Sequence, residues 1–125
     1  MGKRYYSKKV EKYNIKWDSQ TELDYWEHLH IFKEKLGIVS IERQVPFLIF
    51  KGFRDNNGKK LRDTQYIADF VITYKNGTKE IIDVKGCKET IEDLFKLKFK
   101  MCKKEYPEYK YKIVIKDKGE WKNIG

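Results

Sequence analysis

Two aspartates and one lysine occur in stretches whose composition is otherwise typical of buried β-strands. Asp69 and Asp83 each lie in an apolar run rich in β-branched and aromatic residues, and Lys85 follows Asp83 by two residues. Side chains two positions apart on a strand share one face, so Asp83 and Lys85 are expected on the same side of a sheet. Carboxylates are oxygen ligands that suit Mg²⁺, and a lysine can position a water and stabilise developing negative charge.

The turn between the two apolar runs decides whether the two acids meet. Asn76-Gly77 is a strong hairpin signal. A two-residue loop would place Asp69 opposite Val84 and turn the acids to opposite faces. A three-residue loop ending in a left-handed glycine would place Asp69 across from Asp83 on one face. We predict the three-residue loop, residues 75–77, because a glycine stands at the position that needs positive φ.

Length and composition indicate one domain with a basic surface. The chain has 125 residues, with 28 Lys and Arg against 19 acids and a formal charge of +9. Such a surplus favours a polyanionic partner, most often nucleic acid, although a lysine-rich solvated surface explains it about equally well. No apolar run is long enough to span a membrane, and no secretory signal is evident. Cys87 and Cys102 fit a reducing compartment as free thiols, so we expect a cytoplasmic protein.

The first helix is predicted to begin near Ser19, because Ser19-Gln-Thr-Glu22 has the form of a capping box. Gly37 is the predicted stop. Glu22 falls at the edge of the stripe that faces the core, which is unusual for a charge, although it could simply complete the cap. The apolar positions at helical spacing are Leu23, Trp26, Leu29, Phe32 and Leu36.

The rest of the chain is predicted to form strands and one more helix. Pro46 favours an edge position or a bulge for the strand in which it lies. The last strand follows a helical crossover, so it can add in parallel to one mixed sheet. The predicted elements are strand 39–50, polar loop 51–63, the hairpin within 66–86, a helix that ends before Pro107, strand 109–115 and a polar tail with Trp121.

The second helix carries two kinds of stripe. One is apolar and predicted to face the core, and the other is a basic ridge. The apolar positions are Ile91, Leu94, Phe95 and Cys102, and the basic ones are Lys96, Lys100 and Lys103.

Residues 1–16 are predicted to form a basic N-terminal arm ahead of a single domain, residues 17–125. The arm holds six Lys and Arg against one Glu, interleaved with tyrosines. It could lie on a phosphate backbone, or be a solvated terminus. Binding of RNA through this arm is a further alternative that rests on composition alone.

The ordered set of motifs resembles the PD-(D/E)XK nuclease superfamily. More narrowly, it is similar to small phage and prophage proteins of that fold that are Holliday-junction-resolvase-like. About residues 14–115 take part. The matching text is Ser19-x-x-Glu22, Gln44-x-Pro46, YIADF at 66–70, IIDVKG at 81–86 and a Lys/Phe-rich helix that ends in Tyr106-Pro107.

The resemblance implies a restriction-endonuclease-like αβββαβ core, an α/β fold with a central mixed sheet flanked by helices. Asp69, Asp83 and Lys85 fill the motif positions, although Ala68 stands where the superfamily name has proline. Glu22 matches the helix glutamate that many members add, and Gln44 is a candidate supporting residue. The implied ligands of Mg²⁺ or Mn²⁺ are Asp69, Asp83, Glu22 and the backbone carbonyl of Val84.

The implied activity is Mg²⁺-dependent hydrolysis of phosphodiester bonds in branched or Holliday-junction DNA, during phage recombination or DNA processing in a bacterial or infected cell. Symmetric nicks across a junction would need a homodimer. The candidate phosphate contacts are Lys60, Arg62, Lys88, Lys96 and Lys100, and each could equally be a solvated surface residue.

Three alternatives remain open. The chain could be a transposon-end or restriction-like endonuclease subunit of the same fold. It could also be a non-catalytic nucleic-acid-binding module, although a binder has no need of the acids and lysine. Finally, Asp83 and Lys85 could form an ordinary strand ion pair, with Asp69 as an acid near the turn.

Overall fold

A five-stranded sheet with a helix on each face organises residues 9–125, the part of the chain that the computed structural model describes. Apart from two small hairpins and a short last strand, the element order is αβββαβ, and the predicted α/β core with a mixed sheet is confirmed. The elements are β1 Val10–Lys12, β2 Ile15–Trp17, α1 Gln20–Ile31, β3 Ile38–Phe50, β4 Phe53–Arg54, β5 Lys60–Leu61, β6 Thr64–Tyr74, β7 Lys79–Val84, a 3₁₀ turn Lys88–Thr90, α2 Asp93–Glu105, β8 Lys110–Asp117 and β9 Glu120–Asn123.

The strands lie in the order β3-β6-β7-β8-β9. Neighbouring strands are antiparallel except β7 and β8, which are parallel because α2 carries the chain back between them. The strand that contains Pro46 lies at an edge of this sheet, as predicted, and edge strands are where proline is tolerated.

The β6–β7 hairpin has the predicted three-residue loop. The Tyr74 N–H donates to the Thr78 carbonyl over 2.9 Å, and the Gly77 N–H donates to the Tyr74 carbonyl over 2.9 Å. Gly77 has φ +86, the left-handed conformation that the loop requires. Phe70 pairs with Ile82, so the register places the next residues outward, Asp69 and Asp83, across from one another.

Each face of the sheet buries its own core. The α1 core lies under the first helix, and the α2 core lies under the second. The α1 core consists of Trp17, Leu23, Tyr25, Leu29, Ile38, Phe70, Ile72, Ile82, Val84 and Val114. The α2 core consists of Phe47, Ile49, Tyr66, Ala68, Val71, Ile81, Phe99, Cys102 and Ile113.

Along β3 and β6, the alternation of side chains between the two sides of the sheet reverses at Gln44 and Asp69. We call this the face exchange. Phe70 belongs to the α1 core and Ala68 to the α2 core, although residues two apart on a regular strand share one face. Gln44 has φ +49 and sits between the Arg43–Phe70 and Val45–Ala68 pairs. The left-handed conformation is unusual for a residue other than glycine, and here it occurs where the side chains of β3 and β6 that face a given core change to the other side of the sheet. Asp69 therefore lies at the boundary between the two cores.

The first helix starts as predicted and ends early. The Ser19 hydroxyl accepts the Glu22 N–H over 3.1 Å, which is an N-cap. The helix stops at Ile31, and a series of turns carries the chain to Gly37. In one of these turns the Leu36 N–H donates to the Phe32 carbonyl, as it would in an α-helix. The helical spacing of apolar residues therefore continues in the sequence beyond the end of α1. Phe32 and Leu36 are consequently exposed instead of buried as predicted.

Part of the predicted basic arm is folded. β1 and β2 pair as a hairpin, and the buried Trp17 donates its indole N–H to the Lys12 carbonyl over 3.1 Å. Lys12 and Tyr13 both bond the Glu27 carboxylate on α1, over 3.0 and 2.8 Å. Residues 1–8 lie outside the described part of the chain.

Three other local predictions are wrong. The polar loop 51–63 contains the short β4–β5 hairpin, and the polar tail contains β9, which pairs with β8. Leu94, in the first turn of α2, is 59% exposed and lines a pocket instead of facing the core, and the buried residues of that helix are Phe99 and Cys102. In residues 9–125, no helix has the length and apolar character needed to cross a membrane.

Candidate active site

The carboxyl end of β7 opens into a pocket of about 500 Å³ between the start of α1 and the start of α2. The six residues that the sequence singled out as catalytic, metal-binding or supporting all line it. They are Glu22, Gln44, Asp69, Asp83, Val84 and Lys85. The pocket thus gathers residues from four separate elements, and the hairpin register and the face exchange are what bring them together.

Asp83 is a buried carboxylate in which each oxygen has one polar partner and keeps a second lone pair for a ligand. It is 4% exposed; Oδ1 lies 3.0 Å from the Lys85 ammonium, and Oδ2 accepts the Tyr66 hydroxyl over 2.7 Å. The Lys85 Nζ also lies 3.8 Å from the centre of the Phe95 ring. An ion pair, a hydroxyl and an aromatic face together hold both groups in defined positions.

Asp69 accepts hydrogen bonds from two sides. Its Oδ2 accepts the Val84 N–H over 2.8 Å, and its Oδ1 accepts the Gln44 side-chain amide over 3.3 Å. Burial, followed by the negative charges of Asp83 and Glu22, raises the pKa of Asp69 well above its usual value. Keeping this carboxylate ionised therefore costs free energy in the absence of a compensating cation.

Glu22 does more than cap the helix. Only 3% of the residue is exposed, and its Oε1 accepts the Gln44 amide over 3.1 Å and lies 3.5 Å from Arg43 Nη2. Burial and then the nearby Asp18 raise its pKa. A glutamate with only a capping role would point back to the helix start, whereas this one reaches across to β3.

Gln44 links the two acids that α1 and β6 contribute. Its amide Nε2 lies within hydrogen-bond distance of both Glu22 and Asp69. The left-handed φ of Gln44 is part of the same arrangement, since it marks the point where β3 turns over. Backbone strain of this kind persists where the surrounding contacts determine it, often in functional sites.

The pocket is acidic, although the chain as a whole carries +9. Its charged lining consists of Asp18, Glu22, Asp69, Asp83 and Glu92 against Lys85 and Lys98. A phosphate group cannot approach such a surface unless a cation offsets its charge. The donor set is one of hard carboxylate oxygens, which suits Mg²⁺ or Mn²⁺.

Metal-ligand geometry adds one further observation. In residues 9–125 no three His, Cys, Asp or Glu side chains form a ready cluster around a common point. Mg²⁺ usually keeps several waters and needs only one or two carboxylates, so Asp69 and Asp83 fit that requirement. The Val84 N–H is used by Asp69, and a role for the Val84 carbonyl as a ligand stays a prediction.

Four residues in or beside the site were missed by the sequence reasoning. The sequence did offer a signal for two of them: Tyr66 lies three residues before Asp69, and Phe95 lies on the predicted apolar stripe of the second helix. Both patterns are also typical of ordinary core residues. Lys98 lines the pocket one turn beyond Leu94. Arg43 stacks 4.0 Å from the Trp17 ring, and its buried Nε has no hydrogen-bond partner within the described residues. No local pattern distinguished Arg43 from other strand residues.

The candidate DNA contacts are spread over several surfaces. Lys60 and Arg62 line a different cleft, beside the β4–β5 hairpin. Lys88, Lys96 and Lys100 are exposed and do not line the acidic pocket. The structure therefore brings the acidic set together and leaves the basic set dispersed.

The fold and the site define an α/β protein with an acidic pocket at the end of a mixed sheet. The chain belongs to the family described as "Protein of unknown function (DUF1064)", which it matches over residues 2–119. No curated protein matches the sequence.

Proposed function

We propose that this protein is a divalent-metal-dependent DNA endonuclease that hydrolyses phosphodiester bonds. The observation that carries the proposal is the convergence of Glu22, Asp69, Asp83 and Lys85 on one acidic pocket in a basic protein. Three buried or half-buried carboxylates and a lysine are an expensive arrangement that a purely structural role does not require. The resemblance to PD-(D/E)XK nucleases supports the same reaction.

The residues divide into ligands and positioning groups. Asp69 and Asp83 would hold a divalent cation, with Glu22 as a further acid on the helix side. The Val84 N–H and the Gln44 amide fix the orientation of Asp69, while the Tyr66 hydroxyl fixes Asp83. A bound Mg²⁺ or Mn²⁺ would neutralise charge on the phosphate and stabilise the leaving oxygen.

Lys85 is the residue that would act on the reacting atoms. Its ammonium is held between the Asp83 carboxylate and the Phe95 ring, at the wall of the pocket. From there it can donate a hydrogen bond to an attacking water or to negative charge that develops on the phosphate. Such a donor contributes more in a partly enclosed site than in bulk water.

The substrate class rests on the resemblance, which favours branched DNA such as Holliday junctions. Two copies acting together would be needed to nick a junction symmetrically. A non-catalytic nucleic-acid-binding module is the alternative of a different class, and a cleavage assay separates it from the nuclease.

The test is cleavage of labelled four-way junction, fork and linear duplex DNA with Mg²⁺, with Mn²⁺ and with chelator. We expect cleavage only with metal. Asp83→Asn should abolish cleavage while DNA binding in chelator survives. Asp117→Asn is the matched control, because Asp117 is a half-buried strand aspartate, paired with Lys122 and outside the acidic pocket.

Two results would contradict the proposal. Cleavage by Asp83→Asn at the wild-type rate would show that the acidic pocket is not the site. Binding of every substrate with no cleavage under any metal condition would favour the binding module. Light scattering of the protein bound to junction DNA would separately test the dimer.

A further inference from the structure

A second cleft, of about 780 Å³, lies beside the β4–β5 hairpin and has the opposite charge to the acidic pocket. Its lining includes Lys51, Arg54, Lys60 and Arg62 with one acid, Asp63. Asp63 is already engaged, since it accepts the Gly52 N–H over 2.7 Å and lies 3.8 Å from Lys51. None of the ion pairs found in residues 9–125 includes Arg54, Lys60 or Arg62.

The hairpin that carries these cations is internally braced. The Asp55 carboxylate accepts the N–H groups of Asn57 and Lys59, each over 2.9 Å, which closes the turn. Gly52 lies so close to the returning strand that a Cβ there would collide with the Leu61 carbonyl. The basic side chains therefore extend from a defined loop, with their positions set by the backbone.

An aromatic and apolar surface accompanies the positive charge. Phe53 lines the cleft and is 50% exposed, and its ring centre lies 6.0 Å from that of Phe50. Arg54 donates one hydrogen bond to the Gly58 carbonyl over 3.1 Å and, like Lys60 and Arg62, takes part in no ion pair among the described residues. An exposed phenylalanine beside these cations matches the two parts of a single-stranded nucleic acid, whose bases stack and whose phosphates attract positive charge.

A continuous exposed strip joins this cleft to the acidic pocket. We use the name β3–β6 strip for the exposed side chains of Pro46, Leu48, Phe50, Gln65 and Ile67. Pro46 pairs with Ile67 and Leu48 pairs with Gln65, so these side chains share the face opposite the α2 core. Gln65 and Ile67 line the acidic pocket, and Phe50 contacts Phe53 at the other end. The strip carries no charge.

The length of the strip sets the size of what it could bind. Thr64, where β6 begins, precedes Asp69 by five residues, which is about 17 Å of strand. A short single-stranded segment of a few nucleotides would cover this distance. A DNA strand bound along the strip would reach from the acidic pocket to the basic cleft without passing a carboxylate, because the strip contains none.

We propose that the basic cleft and the β3–β6 strip bind a single-stranded DNA segment that leads into the acidic pocket. Arg54, Lys60 and Arg62 contact its phosphates, while Phe53 and Ile67 contact its bases. The inference rests on the proposed nuclease function and refines it, because it names a flap or fork with a single-stranded arm as the substrate class, in preference to fully paired DNA.

The test is fluorescence anisotropy in chelator, where no cleavage occurs, with single-stranded, flap, four-way junction and linear duplex DNA. Wild type should bind the flap and the single strand more tightly than the duplex. Phe53→Ala should weaken binding of single-stranded DNA about tenfold, the effect of losing one stacked base. Lys60→Ala/Arg62→Ala should lower the slope of log affinity against log salt by about 1.4, since each lost phosphate contact on a single strand contributes about 0.7.

The two variants thus report on different contacts, because Phe53→Ala should leave the salt slope unchanged. Lys75→Ala/Lys79→Ala is the charge-matched control at the far end of the β6–β7 hairpin and should alter neither quantity. All variants replace exposed residues, and circular dichroism checks that each is folded.

Equal affinity for single-stranded and duplex DNA, or unchanged binding by both cleft variants, would overturn the inference. The nuclease proposal is tested separately, by DNA cleavage with metal and by the loss of that cleavage in Asp83→Asn. Loss of binding in the cleft variants without any cleavage by wild type would keep this inference and reject the nuclease.

Discussion

The acidic pocket and the basic cleft lie along the same pair of strands and are built in opposite ways. In the pocket, the acids Glu22, Asp69 and Asp83 are held by hydrogen bonds from Gln44, Tyr66 and Val84. In the cleft, the cations are exposed. Asp55 braces the hairpin backbone, Lys51 lies 3.8 Å from Asp63, and Arg54 donates to the Gly58 carbonyl over 3.1 Å.

The difference reflects what each region would do. Chemistry requires charges in fixed positions with little water, and that costs desolvation energy. Binding a flexible polyanion requires charge that stays hydrated until the partner arrives, and that costs the fold little. If this comparison is right, substitutions in the pocket should change both activity and stability, whereas substitutions in the cleft should change binding alone.

After the loss of cleavage expected from Asp83→Asn, the largest effect is expected from Lys85→Ala. Loss of a donor to developing charge should lower kcat for DNA cleavage about 10²- to 10³-fold, with little change in the affinity for DNA measured in chelator. Lys79→Ala is the control, because Lys79 is exposed at the start of β7 and Lys85 directly follows the end of that strand. This variant should cleave at the wild-type rate. A cleavage rate for Lys85→Ala within threefold of wild type would remove Lys85 from the reaction.

Tyr66→Phe should affect stability next most strongly. It removes the 2.7 Å hydrogen bond to the buried Asp83 and should lower the free energy of unfolding by about 1–3 kcal/mol. Tyr74→Phe is a close control, because Tyr74 donates a bond of the same length to Glu80 at the half-buried far end of β6. Urea denaturation should show the smaller loss for Tyr74→Phe. Equal losses would mean that the hydrogen bond in the acidic pocket contributes no more to stability than the one at the other end of β6.

Asp69→Asn should raise stability in chelator by about 1 kcal/mol near neutral pH, because it removes a carboxyl group whose ionisation burial and the neighbouring acids oppose in the folded state. The folded-state pKa of Asp69 lies above the usual 3.8, so the fold loses stability as pH rises from about 3.8 to that folded value and loses no more above it. The gain should therefore vanish below about pH 3.8, where the wild-type carboxyl is protonated in both states.

Thermal denaturation across pH measures this gain. Mg²⁺ or Mn²⁺ should raise the Tm of wild type and leave that of Asp69→Asn nearly unchanged. A variant less stable than wild type at neutral pH would show that the hydrogen bonds from Val84 and Gln44 outweigh the repulsion.

The smallest effect on stability is expected from Lys60→Ala/Arg62→Ala. Both side chains are exposed and outside any ion pair found in residues 9–125, so the free energy of unfolding should change by less than about 0.5 kcal/mol. Urea denaturation beside the binding assay gives the contrast directly. A loss above about 1 kcal/mol would mean that the cleft supports the fold, and the comparison with the pocket would fail.

Local rules predicted the elements whose signals are local. The Ser19 cap, the Gly77 turn and the edge position of Pro46 each depend on backbone geometry that one or two residue types favour. The end of α1 was misplaced because turns after Ile31 prolong the helical period, so sequence spacing could not separate helix from turns. The small β4–β5 and β9 strands were missed because polar residues dominate them.

The candidate site was predictable in its members but not in its internal contacts. Asp69, Asp83 and Lys85 stand out because charges are rare in apolar strands. Tyr66 and Arg43 do not, since a tyrosine in a strand and an arginine at an edge are ordinary until their partners are known.

The sequence by itself determined the αβββαβ order and the hairpin register, because helix caps, turn glycines and apolar periodicity act within a few residues. The tertiary structure alone decided that β3 and β6 turn over at Gln44 and Asp69, which puts the acids at the junction of two cores. It also decided that α1 leaves the β3–β6 strip uncovered, so that an acidic pocket and a basic cleft share one surface. Both outcomes depend on packing between residues far apart in the chain, for which no local pattern exists.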